Sequence, residues 1–183
     1  RNFYTMLKAS DAHLKWVFLT GVSKFSRVSI FSGLNNLQDV TQDECCATLL
    51  GITQAELEEH FADRLTALQT KLQMTRPQLL AAIERWYNGY SWDGVQKVYN
   101  PFSLLNLFAK MKFGNYWFTS GTPTFLVNLV KQQQYDVTQL EGLQASDDLF
   151  DTLEIDDQNL EALLFQTGYL TIKQMVCQPG ELT

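Results

Sequence analysis

Histidine is nearly absent from this chain: His13 and His60 are the only two. Cysteine stops at three, Cys45, Cys46 and Cys177, and no Cys or His pair has metal-ligand spacing. Adjacent Cys45 and Cys46 cannot readily close an unstrained disulfide, and the odd count leaves a thiol over. A disulfide scaffold is therefore disfavoured, and a reduced, cytoplasmic compartment is expected. No apolar run approaches the length of a membrane span and no signal peptide opens the chain, so no membrane partner is expected. Nowhere does a glycine-rich loop run into Gly-Lys-Ser/Thr, which excludes a Walker A phosphate loop in these residues. No Ser/His/Asp or Cys/His set stands at a plausible spacing, and the two histidines read as structural or surface residues. Basic residues are also short. Fourteen Lys and Arg stand against 20 Asp and Glu, a formal net charge of −6, so free binding to nucleic acid is not expected.

What is present is a folding composition. The 183 residues are 45% hydrophobic and 13% aromatic, enough for one ordinary domain or two small ones. The chain opens at Arg1 inside an amphipathic pattern (Phe3, Met6, Leu7, Leu14) and closes just past an apparent turn, which reads as a piece of a longer protein. Trp16 to Leu19 is a continuous apolar run, the pattern of a short strand buried on both faces. Val28 to Leu34 alternates apolar and polar residues and fits either a second short strand or an irregular turn.

From Thr41 the pattern becomes helical. Thr41 with Glu44, and Thr53 with Glu56, have capping-box spacing, and Gly51 fits the end of the first helix. The second helix is expected over Gln54 to Gln73, burying Leu57, Phe61, Leu65, Leu68 and Leu72. Thr75-Arg76-Pro77 opens a third helix, which Asn88-Gly89 closes. Tyr90 to Tyr99 reads as a small hairpin turning at Asp93-Gly94. Asn100-Pro101 and Thr122-Pro123 are each an N-cap followed by proline at the first helical position. Ser146 to Asp157 holds six acids in twelve residues, a solvated face or linker. A last helix over Asp157 to Gln166, ended by Gly168, is followed by a strand over Tyr169 to Lys173 and a Pro179-Gly180 turn. That order resembles the tail of a winged-helix unit.

Two clusters carry chemistry. Thr20, Ser23, Lys24, Ser26 and Arg27 follow the buried run, where the open α/β sheet rule places ligands. Hydroxyls and cations there suit a γ-phosphate, but composition by itself favours a polar turn into the next element. The second cluster is aromatic: Trp86, Tyr87, Tyr90, Trp92, Tyr99, Phe102, Tyr116, Trp117 and Phe118. It is either a stacking platform for sugars or bases or a core tying the hairpin to its flanking helices, and the interleaved cap and turn signals favour the core. The acidic runs at Glu56/Glu58/Glu59 and Asp147/Asp148 are solvated faces, and nothing marks a nuclease centre.

Six segments, in order, resemble the predicted AAA-ATPase-like family, whose members often carry a C-terminal nuclease domain of the PD-(D/E)XK superfamily. They are FLTGVSKFSRVSIFSGLNNLQDVT (18–41), ATLLGITQAELEEHF (47–61), RWYNGYSWDG (85–94), VYNPFSLLNLF (98–108), NYWFTSGTPTFLVNLVK (115–131) and LLFQTGYLTIK (163–173). The resemblance implies a mainly α chain with a few short β-strands, the C-terminal part of a P-loop ATPase-like core. Residues 1–40 would be a core remnant with a sensor-type strand, 41–135 a helical lid with the hairpin near 90–99, and 136–183 a winged-helix-like end. Thr20 and Ser23 would sit at the strand tip, with Lys24 and Arg27 as nearby cations for nucleotide sensing. No catalytic residue, metal ligand or cofactor is assigned within the chain. ATP and Mg²⁺ are expected for the parent, bound by an upstream P-loop region, with a nuclease-like domain downstream and nucleic acid reached only through that parent. No ATPase or nuclease turnover is expected from this chain by itself. The alternative is a helical protein-interaction module that retains the architecture without hydrolysis.

Overall fold

The computed structural model describes residues 6–7, 9–21, 37–117, 124–132, 134–140, 142–145 and 160–176. They belong to two units: Arg1–Asp39 with Phe125–Leu170, and Val40–Thr124 with Thr171–Thr183. The chain is mainly helical. Six α-helices are bounded among the described residues: α1 (Gln54–His60), α2 (Ala62–Leu72), α3 (Arg76–Tyr87), α4 (Pro101–Lys110), α5 (Thr124–Gln132) and α6 (Leu160–Gln166). Strand pairing among those residues is limited to two isolated antiparallel bridges, Ile52 with Tyr99 and Tyr90 with Val98.

The second unit is built from α1 to α4, with α2 packed against α1, α3 and α4. Its core is Leu57, Leu65, Leu68, Leu79, Ile83, Tyr87, Tyr99, Leu104, Leu107 and Phe108, with Phe61 and Leu72 packed against it. Helix starts are set by side chains that satisfy orphan backbone donors. At α1 the Thr53 amide donates to Glu56 Oε2 at 2.8 Å and the Glu56 amide donates to Thr53 Oγ1 at 3.3 Å. At α3 the Thr75 amide donates to Gln78 Oε1 at 3.0 Å. At α4 the Ser103 amide donates to Asn100 Oδ1 at 2.9 Å, and Pro101 takes the first turn.

Three expectations need correction here. The helix expected over 54–73 is two helices, because Phe61 leaves α geometry (φ −113°, ψ 19°) while its ring stacks on Phe108 at 5.1 Å. Leucine spacing survives that break, so the periodicity could not reveal it. The helix expected from the Thr41/Glu44 box starts two residues later. Asp43 caps instead, accepting from the Cys45 amide, and the helix is one 3₁₀ turn over Glu44–Cys46. Trp16 to Leu19 is not a strand buried on both faces. A strand needs a ladder partner, and 14–21 has none among the described residues; Trp16 is 76% exposed and its ring stacks on Phe18 at 5.5 Å.

The 90–99 segment turns where expected. The Val98 amide donates to the Tyr90 carbonyl at 2.9 Å, and Gly94 adopts φ +73°. Inside the turn, Asp93 is buried and accepts four hydrogen bonds: from the Ser91 hydroxyl, the Val95 and Gln96 amides, and the Gln96 side chain. Residues 169–173 form no strand. Thr171 instead grips this turn by its side chain, its Oγ1 accepting from the Ser91 amide at 2.7 Å and donating to the Ser91 carbonyl.

In the first unit, α6 supplies the core residues Leu160, Ala162, Leu163 and Leu164, against which Val130, Tyr135, Leu140, Tyr169 and Leu170 pack. The Tyr135 hydroxyl donates to Glu161 at 2.6 Å. Gly168, at φ +82°, ends α6 as its sequence position suggests. The expectations for Val28–Leu34, the Thr122-Pro123 cap, Ser146–Asp157 and the Pro179-Gly180 turn lie outside the described residues.

Candidate functional site

Of the four residues expected to sense nucleotide, Thr20 is described; Ser23, Lys24 and Arg27 lie outside the described residues. Thr20 is exposed at the end of a non-helical run from Leu14 to Gly21. Leu14 has β-region dihedrals, and the stacking of Trp16 on Phe18 is the side-by-side placement of residues two apart in an extended chain. Leu14, Trp16, Phe18 and Leu19 are all more than a third exposed. The hydroxyl thus sits at the tip of an extended apolar segment. Among the described residues no group of three or more His, Cys, Asp or Glu is placed to hold a metal ion. His13 and His60 are exposed on a 3₁₀ turn and at the end of α1.

The second unit carries a surface depression of about 730 Å³, lined by Ala81, Ala82, Arg85, Trp86 and Asn115. Helix α3 supplies the first four, and the turn after α4 supplies Asn115. Leu79, Ile83 and Tyr87 of α3 face the core, which leaves Ala82, Arg85 and Trp86 on its outer side. Trp86 is 47% exposed while its ring rests against Phe113 at 5.9 Å. The turn is held by Tyr87, whose hydroxyl donates to the Gly114 carbonyl at 3.0 Å and accepts from the Gly114 amide at 3.1 Å. Burial pushes the Tyr87 phenol up, partly offset by its bond to Gly114, so it stays a neutral clamp. Tyr87 also stacks on Phe113 and Tyr116, and Lys110 Nζ stands 4.4 Å above the Tyr116 ring. The lining combines an indole face, a guanidinium and a floor of alanines. It can stack a flat or apolar group beside an anion, and it has no nucleophile–base pair for catalysis.

The aromatic cluster therefore divides. Tyr87 and Tyr99 are core, Tyr90 packs edge-on against Trp92 at 4.8 Å within the hairpin, and Trp86 and Phe102 are about half exposed. Burial holds the Tyr90 phenol far above its ordinary value and, with Glu84 and Glu58 nearby, pushes Tyr99 up to about 12. Both are neutral packing groups. Arg85 was not among the expected site residues. Its only sequence signal is adjacency to Trp86 on the outer face of a helix whose apolar positions repeat at 79, 83 and 87.

These features define a mainly helical module with an aromatic, cation-edged surface. No family model and no solved structure matches the chain. A protein of Azotobacter chroococcum mcd 1, called an uncharacterized protein in the vnfD 5′ region, is 46% identical over 175 residues, covering 96% of this chain and 32% of that relative. The chain spans about a third of that relative's length.

Proposed function

We propose that this chain is the sensor-and-lid portion of an AAA-ATPase-like protein. In the full-length parent, ATP with Mg²⁺ would bind largely upstream, and its turnover would be coupled to a C-terminal nuclease-like or other effector domain, in the cytoplasm. The observation that carries this reading is the Leu14–Gly21 segment. It is extended at its start, more than a third exposed at Leu14, Trp16, Phe18 and Leu19, without ladder partners among the described residues, and it ends at the exposed Thr20. An extended apolar segment of this kind would suit a strand that pairs only with other parts of a longer protein, its polar end then lying where such sheets take ligands. Residues 41–135, which include α1 to α4, would be the lid. Residues 136–183 would be the winged-helix-like end, of which α6 is described and to which 169–173 adds no strand.

The described part of the tip fits a phosphate only as a hydroxyl donor, and supplies no carboxylates for Mg²⁺. The chain's own contribution is thus to report on a phosphate, through Thr20 with Ser23, Lys24 and Arg27, and not to hold the metal. The test is ATP turnover by the full-length protein. Thr20→Ala and Arg27→Ala should each lower it with the fold intact, and wild-type turnover in both would remove the assignment.

A second reading is favoured by the Arg85–Trp86 surface. A half-exposed indole beside a guanidinium suits recognition of a protein or peptide segment. The parent would then keep ATPase-like architecture without hydrolysis. Full-length protein that binds no ATP, yet loses a protein partner on Trp86→Ala, would decide for this reading.

A further inference from the structure

Neighbouring residues on a helical turn normally point their side chains apart. Cys45 and Cys46 do not: their Sγ atoms lie 3.6 Å from each other. Cys45 is exposed and Cys46 half-buried, so the pair lies at the surface of the unit. The turn that carries them is held from several sides. Asp43 accepts from the Cys45 amide, the Cys46 amide donates to the Asp43 carbonyl at 2.8 Å, and Ala47 behind them is buried. The thiol pair is therefore pre-positioned.

Its spacing discriminates between chemistries. A relaxed disulfide spans about 4.4–6.8 Å between Cα atoms, and neighbours across a trans peptide stand only about 3.8 Å apart, so the pair favours its reduced form. A linear two-coordinate ion with bonds of about 2.3 Å to sulfur would need them about 4.6 Å apart. A pyramidal or tetrahedral centre, with the same bonds at roughly 100–110°, needs about 3.5–3.8 Å, which brackets the observed separation. Among the described residues no third His, Cys, Asp or Glu completes a metal set. The centre must bring its remaining ligand with it.

We infer that Cys45 and Cys46 form a bidentate dithiol site for trivalent arsenicals, a centre that takes two protein sulfurs and keeps one oxygen or carbon of its own. The reaction is a condensation. The oxide oxygen leaves as water with both thiol protons, two arsenic–sulfur bonds form, and arsenic stays trivalent, so no oxidant is consumed. Protonated thiols are the right starting state. The Asp43 carboxylate beside Cys45, with the Cys46 thiol, pushes the Cys45 thiol up to about 11, which disfavours the thiolate that zinc or alkylating chemistry uses.

The test uses the whole chain and phenylarsine oxide, followed by intact-mass spectrometry under native conditions. One phenylarsenic group should add with loss of one water, resist monothiol competition, and be removed by 2,3-dimercaptopropanol. Cys45→Ser and Cys46→Ser should each weaken binding about 100-fold or more, because each loses the chelate's second, intramolecular bond. Cys177→Ser should bind as the wild type does, and thermal melts identify any variant that fails to fold. Cys45 is exposed, so its variant keeps the test alive if Cys46→Ser unfolds. Equal binding by wild type and the Cys45→Ser variant, no adduct on the wild type, or loss of binding in Cys177→Ser would each overturn the proposal.

Discussion

The hairpin after α3 hangs on one buried carboxylate, and removing it should loosen the whole turn. Asp93 Oδ1 accepts from the Ser91 hydroxyl at 3.1 Å, the Val95 amide at 2.9 Å and the Gln96 amide at 2.8 Å. Its Oδ2 accepts from Gln96 Nε2 at 3.1 Å. A hydrogen bond to a charged group contributes about 1.5–3 kcal/mol net, and bonds sharing one acceptor are not additive. Val95 is 82% exposed, so water can replace part of what its amide loses. Asp93→Ala should then cost about 2–4 kcal/mol. Asp93→Asn keeps an oxygen at Oδ1 but turns an NH₂ toward Gln96 Nε2, and should cost about 1–2 kcal/mol.

The pH dependence follows from the same four bonds. Desolvation pushes the Asp93 carboxyl up, but the Val95 and Gln96 amides and the Gln96 and Ser91 side chains outweigh it, and the group ends below its ordinary value. A depressed folded pKa means the stabilisation is fully present above the unfolded value of about 3.9, and is lost as pH falls through the lower folded one. Urea unfolding followed by circular dichroism at pH 7 and near pH 3 should show the wild type and Asp93→Asn converging at the acid end. Equal stability at pH 7, or a gap that does not shrink in acid, would refute the reasoning.

Two further outcomes concern the same unit. A Cβ on Gly51 would lie 2.3 Å from Val98 Cβ, well inside contact distance and against a branched side chain at its rigid end. Gly51→Ala should therefore cost about 1–3 kcal/mol by thermal melt, and an unchanged midpoint would contradict this close approach. Helix α2 ends at Gln73 in the left-handed region (φ 53°), with the Met74 amide reaching back to the Gln69 carbonyl at 3.2 Å. Gln73→Gly should raise stability by about 0.5–1 kcal/mol, and a loss in urea melts would show that the Gln73 side chain matters more than its backbone.

What could be read from sequence was mostly local. Thr53 with Glu56 and Asn100-Pro101 each satisfy amides three residues away, so their spacing carries the geometry, and Thr75-Arg76-Pro77 marked the start of α3 without its Gln78 partner. The Asp93-Gly94 turn was legible for the same reason. The break at Phe61 was not, since it coincides with a ring stack on Phe108, 47 residues away, and leaves the leucine period intact. The start expected at Thr41 moved to Asp43, whose side chain caps the Glu44–Cys46 turn by accepting from the Cys45 amide. Composition singled out Thr20, Ser23, Lys24 and Arg27 but could not show the extended, exposed setting of Thr20. The Arg85–Trp86 surface needs Asn115 and Phe113 brought against α3, a tertiary event that no short window contains.

The central claim, that residues 14–27 report on nucleotide within a longer protein, is tested most directly by steady-state ATP hydrolysis of the full-length protein and its Thr20→Ala variant. A reduced turnover with an unchanged circular dichroism spectrum and melting midpoint is expected, alongside no turnover by the 183-residue chain alone. Wild-type turnover in Thr20→Ala, or hydrolysis by the isolated chain, would contradict it.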